Sequence, residues 1–492
     1  MIARGLAGSF LVLLGGLVVS TLPSSTPLLR QDLLINLREA DAGRLAGLVV
    51  VLAGLGLLAH AWVSLCGRVA SSAAGESAES LALVRFAAVV WSAPLLLAPP
   101  LFSRDGWSYA AQGAMASLGI SPYEHGPAVL SGPIVQAVDP IWMHTATPYG
   151  PLPLWFGKEM ANHTGNPWML VIAHRGLALV GLVLLSWAVP RLAAWSQVNP
   201  ALATGIVIAS PVMLANGVGG LHNDLLMVGL MAAALLVAAE HGWLPGALIG
   251  ASAAAVKVPG GLVCIGVALI SLAPQVGLAT RIRRLAAVAA VAAATLVGLG
   301  MAAGTGSGWV AALSVPGVVH TPLSVTTFVG GALDWAASTA HLGFAPTTLL
   351  DLARQLGLLA TIAVAIWVAL RWDTGNRPRG VLAVAVVVGA TVVLGPVVHF
   401  WYFLWPLPFV ASLALSRLAM SGLLAGCLVL GVTAPFDSSW HGMYTAIVLG
   451  SMLLVGVLPR LLLTPLARVR IERVATPTWL RAAPEAVSPE RG

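Results

Sequence analysis

Hydrophobic residues in this chain run in long unbroken blocks, with neither the two-residue alternation of a half-buried strand nor the heptads of a coiled coil. The first block follows Arg4 and continues to Pro23. Others lie at about 43 to 66, 84 to 101, 170 to 190, 199 to 216, 222 to 240, 243 to 256, 259 to 274, 285 to 304, 347 to 371, 380 to 397, 402 to 416, 419 to 434 and 442 to 463. At 1.5 Å per residue, roughly 20 apolar residues cross the ~30 Å hydrocarbon core. The pattern therefore predicts an all-α polytopic membrane protein of about 13 to 14 segments. Residues 1–465 are expected to form a single transmembrane domain, followed by a basic, disordered cytoplasmic tail over 466–492. The charge at Arg4 and the apolar run after it resemble a signal peptide. The run is too long and lacks a convincing small-residue cleavage site, so it is expected to stay attached as the first span.

Basic residues orient these segments. With the N-terminus inside, Arg191, Arg281, Arg283, Arg284, Arg371, Arg377, Arg379, Arg417 and the tail from Arg460 to Arg473 all fall in the cytoplasm, as the positive-inside rule requires. Both termini are then cytoplasmic. Parity holds if residues 243–274 form two short segments meeting at Val258-Pro259-Gly260-Gly261, because about 15 residues reach only about 22 Å. A hairpin or broken helix pair is expected there. The opposite, extracytoplasmic face then receives the long loops 102–169 and 305–346 and short turns at 216–222, 398–402 and 435–441. No internal repeat relates the two halves, which weakens an inverted-repeat transporter reading.

Composition agrees and narrows the function. The 492 residues are 58% hydrophobic and 9% charged, with a mean hydropathy of +0.91, whereas soluble domains carry about 25% charged residues. A water-soluble enzyme is excluded. The net charge of +7 collects at the cytoplasmic connections and forms no basic patch with interleaved aromatics, which argues against nucleic acid. Cys66, Cys264 and Cys427 lie far apart inside apolar runs, a spacing that fits neither a disulfide framework nor a metal site. No metal and no cofactor are expected.

The few remaining charges mark the candidate chemistry. The first long loop opens Ser103-Arg104-Asp105-Gly106-Trp107-Ser108-Tyr109-Ala110-Ala111-Gln112-Gly113. If Asp105 begins a helix, then Asp105, Tyr109 and Gln112 share one face, combining a carboxylate, a phenol and an amide at the membrane boundary. Asp105 could equally be the N-cap of an interfacial helix while Arg104 snorkels to headgroups; a carboxylate can do both jobs. Further on, Pro122-Tyr123, Asp139-Pro140, His144 and Pro148-Tyr149-Gly150-Pro151 make a stiff, structured loop. Aromatics beside carboxylates suit sugar rings, though turns explain the prolines equally well.

A second group is Asn216-Gly217-Val218-Gly219-Gly220-Leu221-His222-Asn223-Asp224. It reads either as a capped glycine turn or as a close-approach site where a helix N-terminus meets an anion such as phosphate. Lys257 is one of two lysines in the chain and lies between Ala-Ala-Ala-Val and Val-Pro-Gly-Gly. A central Lys costs about 2.5–3.5 kcal/mol on insertion scales, so it needs an anionic partner or access to water; a lipid phosphate is the preferred partner, snorkelling the alternative. The aromatic runs at 399–406 and 436–444 read mostly as interfacial anchors, with His399, Asp437 and His441 as weaker candidates for lipid-phosphate or acceptor contacts.

Together, Ser-Arg-Asp-x-x-Ser-Tyr-x-x-Gln-Gly (103–113), Pro-Tyr (122–123), Pro-Tyr-Gly-Pro (148–151), Gly-Gly-x-His-Asn-Asp (219–224), Ala-Val-Lys (255–257) and His-Gly-Met-Tyr (441–444) resemble actinobacterial α-1,6-mannosyltransferases of the MptA/MptB type. These belong to the GT-C superfamily of polyprenyl-phosphate-sugar enzymes. The resemblance runs from about residue 80 to 450 in matching order. Trp107 stands where the family usually has Tyr, and Asp224 where Glu is more usual.

The resemblance implies a polyprenyl-phosphate-mannose donor, a mannan lipid acceptor in lipomannan and lipoarabinomannan assembly, and chemistry on the extracytoplasmic side. It places the catalytic acid of the first long loop at Asp105. An inverting step follows, in which Asp105 takes the acceptor hydroxyl's proton while Lys257, His222, Asn223 and Arg104 face the donor phosphate. Tyr109, Gln112, Asp139, His144, Tyr149, Asp224, His399 and His441 are then the candidates for sugar and acceptor binding. Two alternatives stand beside this reading: a lipid or glycan flippase using the same intramembrane charges, and an arabinosyltransferase with a polyprenyl-phosphate donor.

Overall fold

In the computed structural model, residues 1–72, 77–318, 321, 323–436 and 457 are described. Among them no strand occurs, and the helices follow the apolar blocks closely. The N-terminal part runs α1 (Ile2–Val19), a short interfacial α2 (Asp32–Glu39), α3 (Asp41–Ala70) and α4 (Ser77–Ser92). The first long loop holds α5 (Asp105–Ser117), α6 (Pro133–Gln136), α7 (Pro140–Met143) and α8 (Pro151–Ala161). The middle of the chain contributes α9 (Pro167–Trp195), α10 (Pro200–Ile208), α11 (Asp224–His241), α12 (Trp243–Val256), α13 (Val263–Ile270) and α14 (Leu278–Ala302). The last described part contributes α15 (Val325–Thr339), α16 (Thr348–Arg371), α17 (Arg377–Leu394), α18 (Leu407–Ala411) and α19 (Arg417–Val432).

Eight of the described helices are long and apolar enough to cross a bilayer, nine if α10 and the segment Met213–Gly219 form one span bent by 55°. Ser210-Pro211 lies at that bend, where proline removes a backbone donor. Four shorter apolar helices, including α12, α19 and the stretches Val258–Ile270 and Phe400–Ala411, account for the other described blocks. They fall short of crossing alone, which is why counting blocks gives more segments than counting full spans. The block 442–463 and the tail 466–492 lie outside the described residues.

Local chemistry sets the helix ends. Asn166, Asn199 and Asn376 each stand one or two residues before a proline and accept backbone N–H bonds from the first turn of α9, α10 and α17, an arrangement whose loss typically costs ~1 kcal/mol. Asn199 also donates its amide to the Val69 carbonyl at 3.0 Å, tying the start of α10 to the end of α3. α1 and α3 cross on glycines: a Cβ at Gly8 would stand 2.7 Å from the Gly54 carbonyl oxygen, and one at Gly15 2.5 Å from that of Gly47. In a membrane, where apolar faces gain nothing by avoiding lipid, such close backbone approach is what holds helices together.

α11 is the hub. The apolar window of α11 is 72% buried, against 17% for α14 and for α16, which stand at the periphery. The hairpin expected over 243–274 is present. Lys257 leaves helical geometry (φ −157°, ψ 132°), the residues after it form a single tight turn over Val258–Leu262, and α13 returns along α12 so that Gly250 packs on Cys264.

Three of the connections read as lying on one side do meet. Gly375 N–H donates to Leu269 O, Thr374 to Ala273 O and Arg377 to Ala239 O, so those connections share one end of the bundle. At the other end Ser24 N–H donates to the Gln136 side chain, placing the first long loop against the residues that follow α1.

Candidate active site

The polar residues singled out along the sequence converge at the loop end of α11. Asp105 opens α5, and its backbone N–H donates to Ser103 Oγ at 3.1 Å. The N-cap position belongs to Arg104, whose side chain makes no capping bond. The alternative reading of Asp105 as an N-cap therefore does not hold: its carboxylate is buried, 5% exposed.

Two buried connections bring it to His222. Leu101 N–H donates to Gly219 O at 2.9 Å, and the guanidinium of Arg175 on α9 binds the carbonyls of Leu96 and Ala98 with one nitrogen and reaches Gly219 O at 3.4 Å with the other. Phe102 (φ +61°) and Leu221 (φ +57°) adopt the left-handed region on either side of this junction, where a non-glycine residue costs of order 1–3 kcal/mol and is kept by its surroundings.

Oδ2 of Asp105 gathers its polar neighbours. Tyr149 donates its hydroxyl at 3.2 Å, Tyr109 lies at 3.5 Å, and His222 Nδ1 stands 3.4 Å away; the two phenol oxygens are 3.0 Å apart. Among the described residues these contacts all fall on Oδ2, and Asp105 also lines the cleft. Tyr149 is placed by its neighbour Gly150, whose N–H donates to Val256 O at 2.9 Å. A Cβ at Gly150 would come 2.2 Å from the Ala255 carbonyl oxygen, so only glycine allows the loop to dock on the end of α12. Tyr123 adds a hydroxyl bond to Tyr149 O at 3.0 Å.

The second pole of the site is Lys257. Its ammonium donates to Asp224 Oδ1 at 3.0 Å, and Trp405 Nε1 donates to the same oxygen at 2.7 Å. The ammonium also stands 4.4 Å from the Tyr402 ring, 5.2 Å from Trp405 and 5.4 Å from Tyr149, within the range of cation–π attraction. Lys257 thus has a carboxylate of the same chain as a buried anionic partner. Asp224 occupies the first turn of α11, and Asn223 N–H points to Tyr109 Oη at 3.5 Å, so that helix start serves the chain's own groups.

Asp105, Tyr149, Lys257, His399, Trp401 and Tyr402 line a small cleft together with Trp142, Pro148, Val315 and Val397. Burial pushes the Asp105 carboxyl up, but the His222 imidazole beside it, with His399 and Lys257 further off, more than reverses this and holds it below the usual carboxylate range. Burial lowers His399 to about 4, so that ring is neutral at pH 7. An ionised carboxylate and a buried ammonium facing one cavity can together accept a proton from a hydroxyl and steady an anionic leaving group.

The other candidates stand further off. Gln112 accepts from Thr147 Oγ1 at 3.1 Å and lies with Asn223 behind Tyr109. Asp139 caps α7, accepting from Ile141 N–H at 3.1 Å, and Arg104 is turned towards it, 3.5 Å from Val138 O. His144 is exposed at the end of α7 and does not line the cleft. Asp437 and His441 lie outside the described residues. Sequence reasoning passed over Trp401, Tyr402 and Trp405 as interfacial anchors, although their spacing along one short helical stretch puts them on the site, and it passed over Trp142 and Arg175. An arginine in the middle of an apolar block was the available signal for the last.

Known proteins match most of the chain. Residues 2–273 match the family described as alpha-(1->6)-mannopyranosyltransferase, N-terminal domain, and residues 326–464 match the MptB C-terminal domain. Alpha-(1->6)-mannopyranosyltransferase A of Mycobacterium tuberculosis is 33% identical over 90% of this chain and 85% of its own length. Alpha-(1->6)-mannopyranosyltransferase A of Corynebacterium glutamicum is 31% identical over 70% of this chain and 75% of its own. Alpha-(1->6)-mannopyranosyltransferase B of the same organism is 30% identical over 77% and 67%.

Proposed function

The chain belongs to the alpha-(1->6)-mannopyranosyltransferase family and is a multi-pass membrane glycosyltransferase, and from that premise we propose that it carries mannose from polyprenyl-phosphate-mannose to a mannan lipid, extending α-1,6 linkages in lipomannan and lipoarabinomannan assembly. The observation that carries this reading is the pairing of Asp105 and Lys257 across one cleft. A sugar hydroxyl is a poor nucleophile until its proton has somewhere to go, and a positioned carboxylate contributes typically 10²–10⁴-fold. Asp105 Oδ1 accepts that proton as the oxygen attacks the anomeric carbon; the bond from that carbon to the phosphate oxygen breaks, and the electron pair leaves on the phosphate.

Among the described residues Lys257 is the one cation lining the cleft, and it is the group that steadies the departing phosphate. Attack from the face opposite the phosphate converts a β-mannosyl phosphate into an α linkage. Tyr149 and Tyr109 hold Asp105, and the aromatic walls of the cleft offer faces to sugar rings. The cleft opens on the side we assign to the exterior, with the arginine-rich connections in the cytoplasm, in a single transmembrane domain of the GT-C type.

The test is transfer by the purified full-length protein in lipid nanodiscs, given labelled polyprenyl-phosphate-mannose and short α-1,6-mannosides. Extension by one α-linked mannose per transfer is expected. Transfer from a nucleotide sugar but not from the lipid donor would overturn the donor assignment, and a β-linked product would overturn the inverting step.

A further inference from the structure

His222 stands beside the cleft without lining it. Its ring is 1% exposed and stacks on Trp401, centroids 3.6 Å apart and planes 14° from parallel; the opposite face of Trp401 carries His399 at 4.3 Å and 5°. Trp401 and His399 face the cavity, and His222 lies one layer behind them. Its two nitrogens are assigned by the surrounding backbone. A Cβ at Gly220 would come within 3.0 Å of Nε2, so that edge is wedged against the glycine turn, while Nδ1 stands 3.4 Å from Asp105 Oδ2, in ion-pair range but out of line for a hydrogen bond. The left-handed Leu221 immediately before it fixes the direction from which the ring enters.

We propose that His222 is a positioning residue for Asp105, and not a ligand of the donor phosphate: clamped by the Trp401 stack, it turns an N–H towards Oδ2, favours the ionised carboxylate and leaves Oδ1 facing the acceptor. The other groups facing Asp105 are engaged elsewhere. Tyr109 and Tyr149 share a contact with each other, His399 stacks on the other face of Trp401, and Lys257 is already paired with Asp224. His222 is the remaining nitrogen donor within reach of the carboxylate among the described residues.

The inference rests on Asp105 being the base, and the experiment separates the two. Initial rates are measured against pH for the full-length enzyme in nanodiscs with polyprenyl-phosphate-mannose, comparing wild type, His222→Phe, which keeps a stacking ring and removes the nitrogens, and His222→Gln, which restores an N–H donor. For His222→Phe the expected result is a kcat roughly tenfold or more lower with donor KM within about twofold, and an acidic limb moved up by about one pH unit. His222→Gln recovers part of the rate at pH 7, and it carries the test by itself should the Phe variant fail to fold. A donor KM raised about tenfold with kcat and the acidic limb unchanged makes His222 a phosphate ligand and overturns the proposal. If Asp105→Asn retains wild-type activity, the base assignment falls first; if that variant is inactive and the limb does not move, the inference about His222 falls alone.

Discussion

Two ion pairs of the same length stand at opposite ends of this molecule. Lys257 and Asp224 meet at 3.0 Å with side chains 8% and 0% exposed; Arg379 and Asp373 meet at 3.0 Å with side chains 51% and 62% exposed. The distance is shared and the consequence is not. In the exposed pair, water and salt screen the attraction and each partner is well solvated without the other, so the pair contributes about 0–1 kcal/mol. In the buried pair each charge has given up its hydration, so either partner left alone is an uncompensated charge in a low-dielectric interior. The Arg379–Asp373 pair is therefore made of replaceable charges, and the loop end is a device in which each charge depends on its neighbour.

The comparison can be broken most sharply at Asp105. Replacing it with Asn should lower transfer by at least about 10²-fold while leaving the protein folded, measured as labelled mannose incorporated; a rate near wild type would remove it from the chemistry. Next comes the buried pair. Lys257→Met leaves Asp224 without its cation and should destabilise the fold by about 3–5 kcal/mol, read as a lower thermal midpoint in detergent, and should weaken donor use. An unchanged donor KM in the folded fraction takes Lys257 out of the phosphate site.

A smaller change is Tyr149→Phe, which removes one hydroxyl bond to Asp105 and should cost about 1.5–3 kcal/mol of the interaction that holds the carboxylate, seen as a lower rate and an acidic limb moved upward. Because Asp105 is held below its ordinary value, its ionisation stabilises the native state at neutral pH, and that contribution fades as pH falls through the lowered value; loss of the Tyr149 bond brings the fading to higher pH. The smallest effect belongs to Arg379→Ala, where the thermal midpoint should shift by little, within about 1 kcal/mol, and transfer should be unaffected. A large loss there would mean that the exposed pair is coupled to the site.

Much of the fold could be read along the chain because the determinants are local. Each block of about 20 apolar residues must be buried in hydrocarbon whatever lies beside it, and each asparagine ahead of a proline starts a helix by its own hydrogen bonds. The hairpin at Lys257 was legible for the same reason: two segments too short to cross, with Pro259 and two glycines between them. Asp105 and Lys257 stood out because charge is scarce in apolar surroundings. The aromatic residues were misread because a ring at the end of an apolar block looks the same whether it touches headgroups or an ammonium. Trp405 shows its role only through Asp224, 181 positions away.

The sequence alone thus determined that this is an all-α membrane protein and which few charges needed an explanation. Tertiary structure decided what those charges meet. Tyr149 reaches Asp105 across 44 positions, and Asp224 neutralises Lys257 across 33, both depending on close crossings such as Gly150 against Ala255. Hydrophobic periodicity has a range of a few turns, whereas a buried charge takes its partner from whichever helices pack around it, and that choice is made by the bundle as a whole.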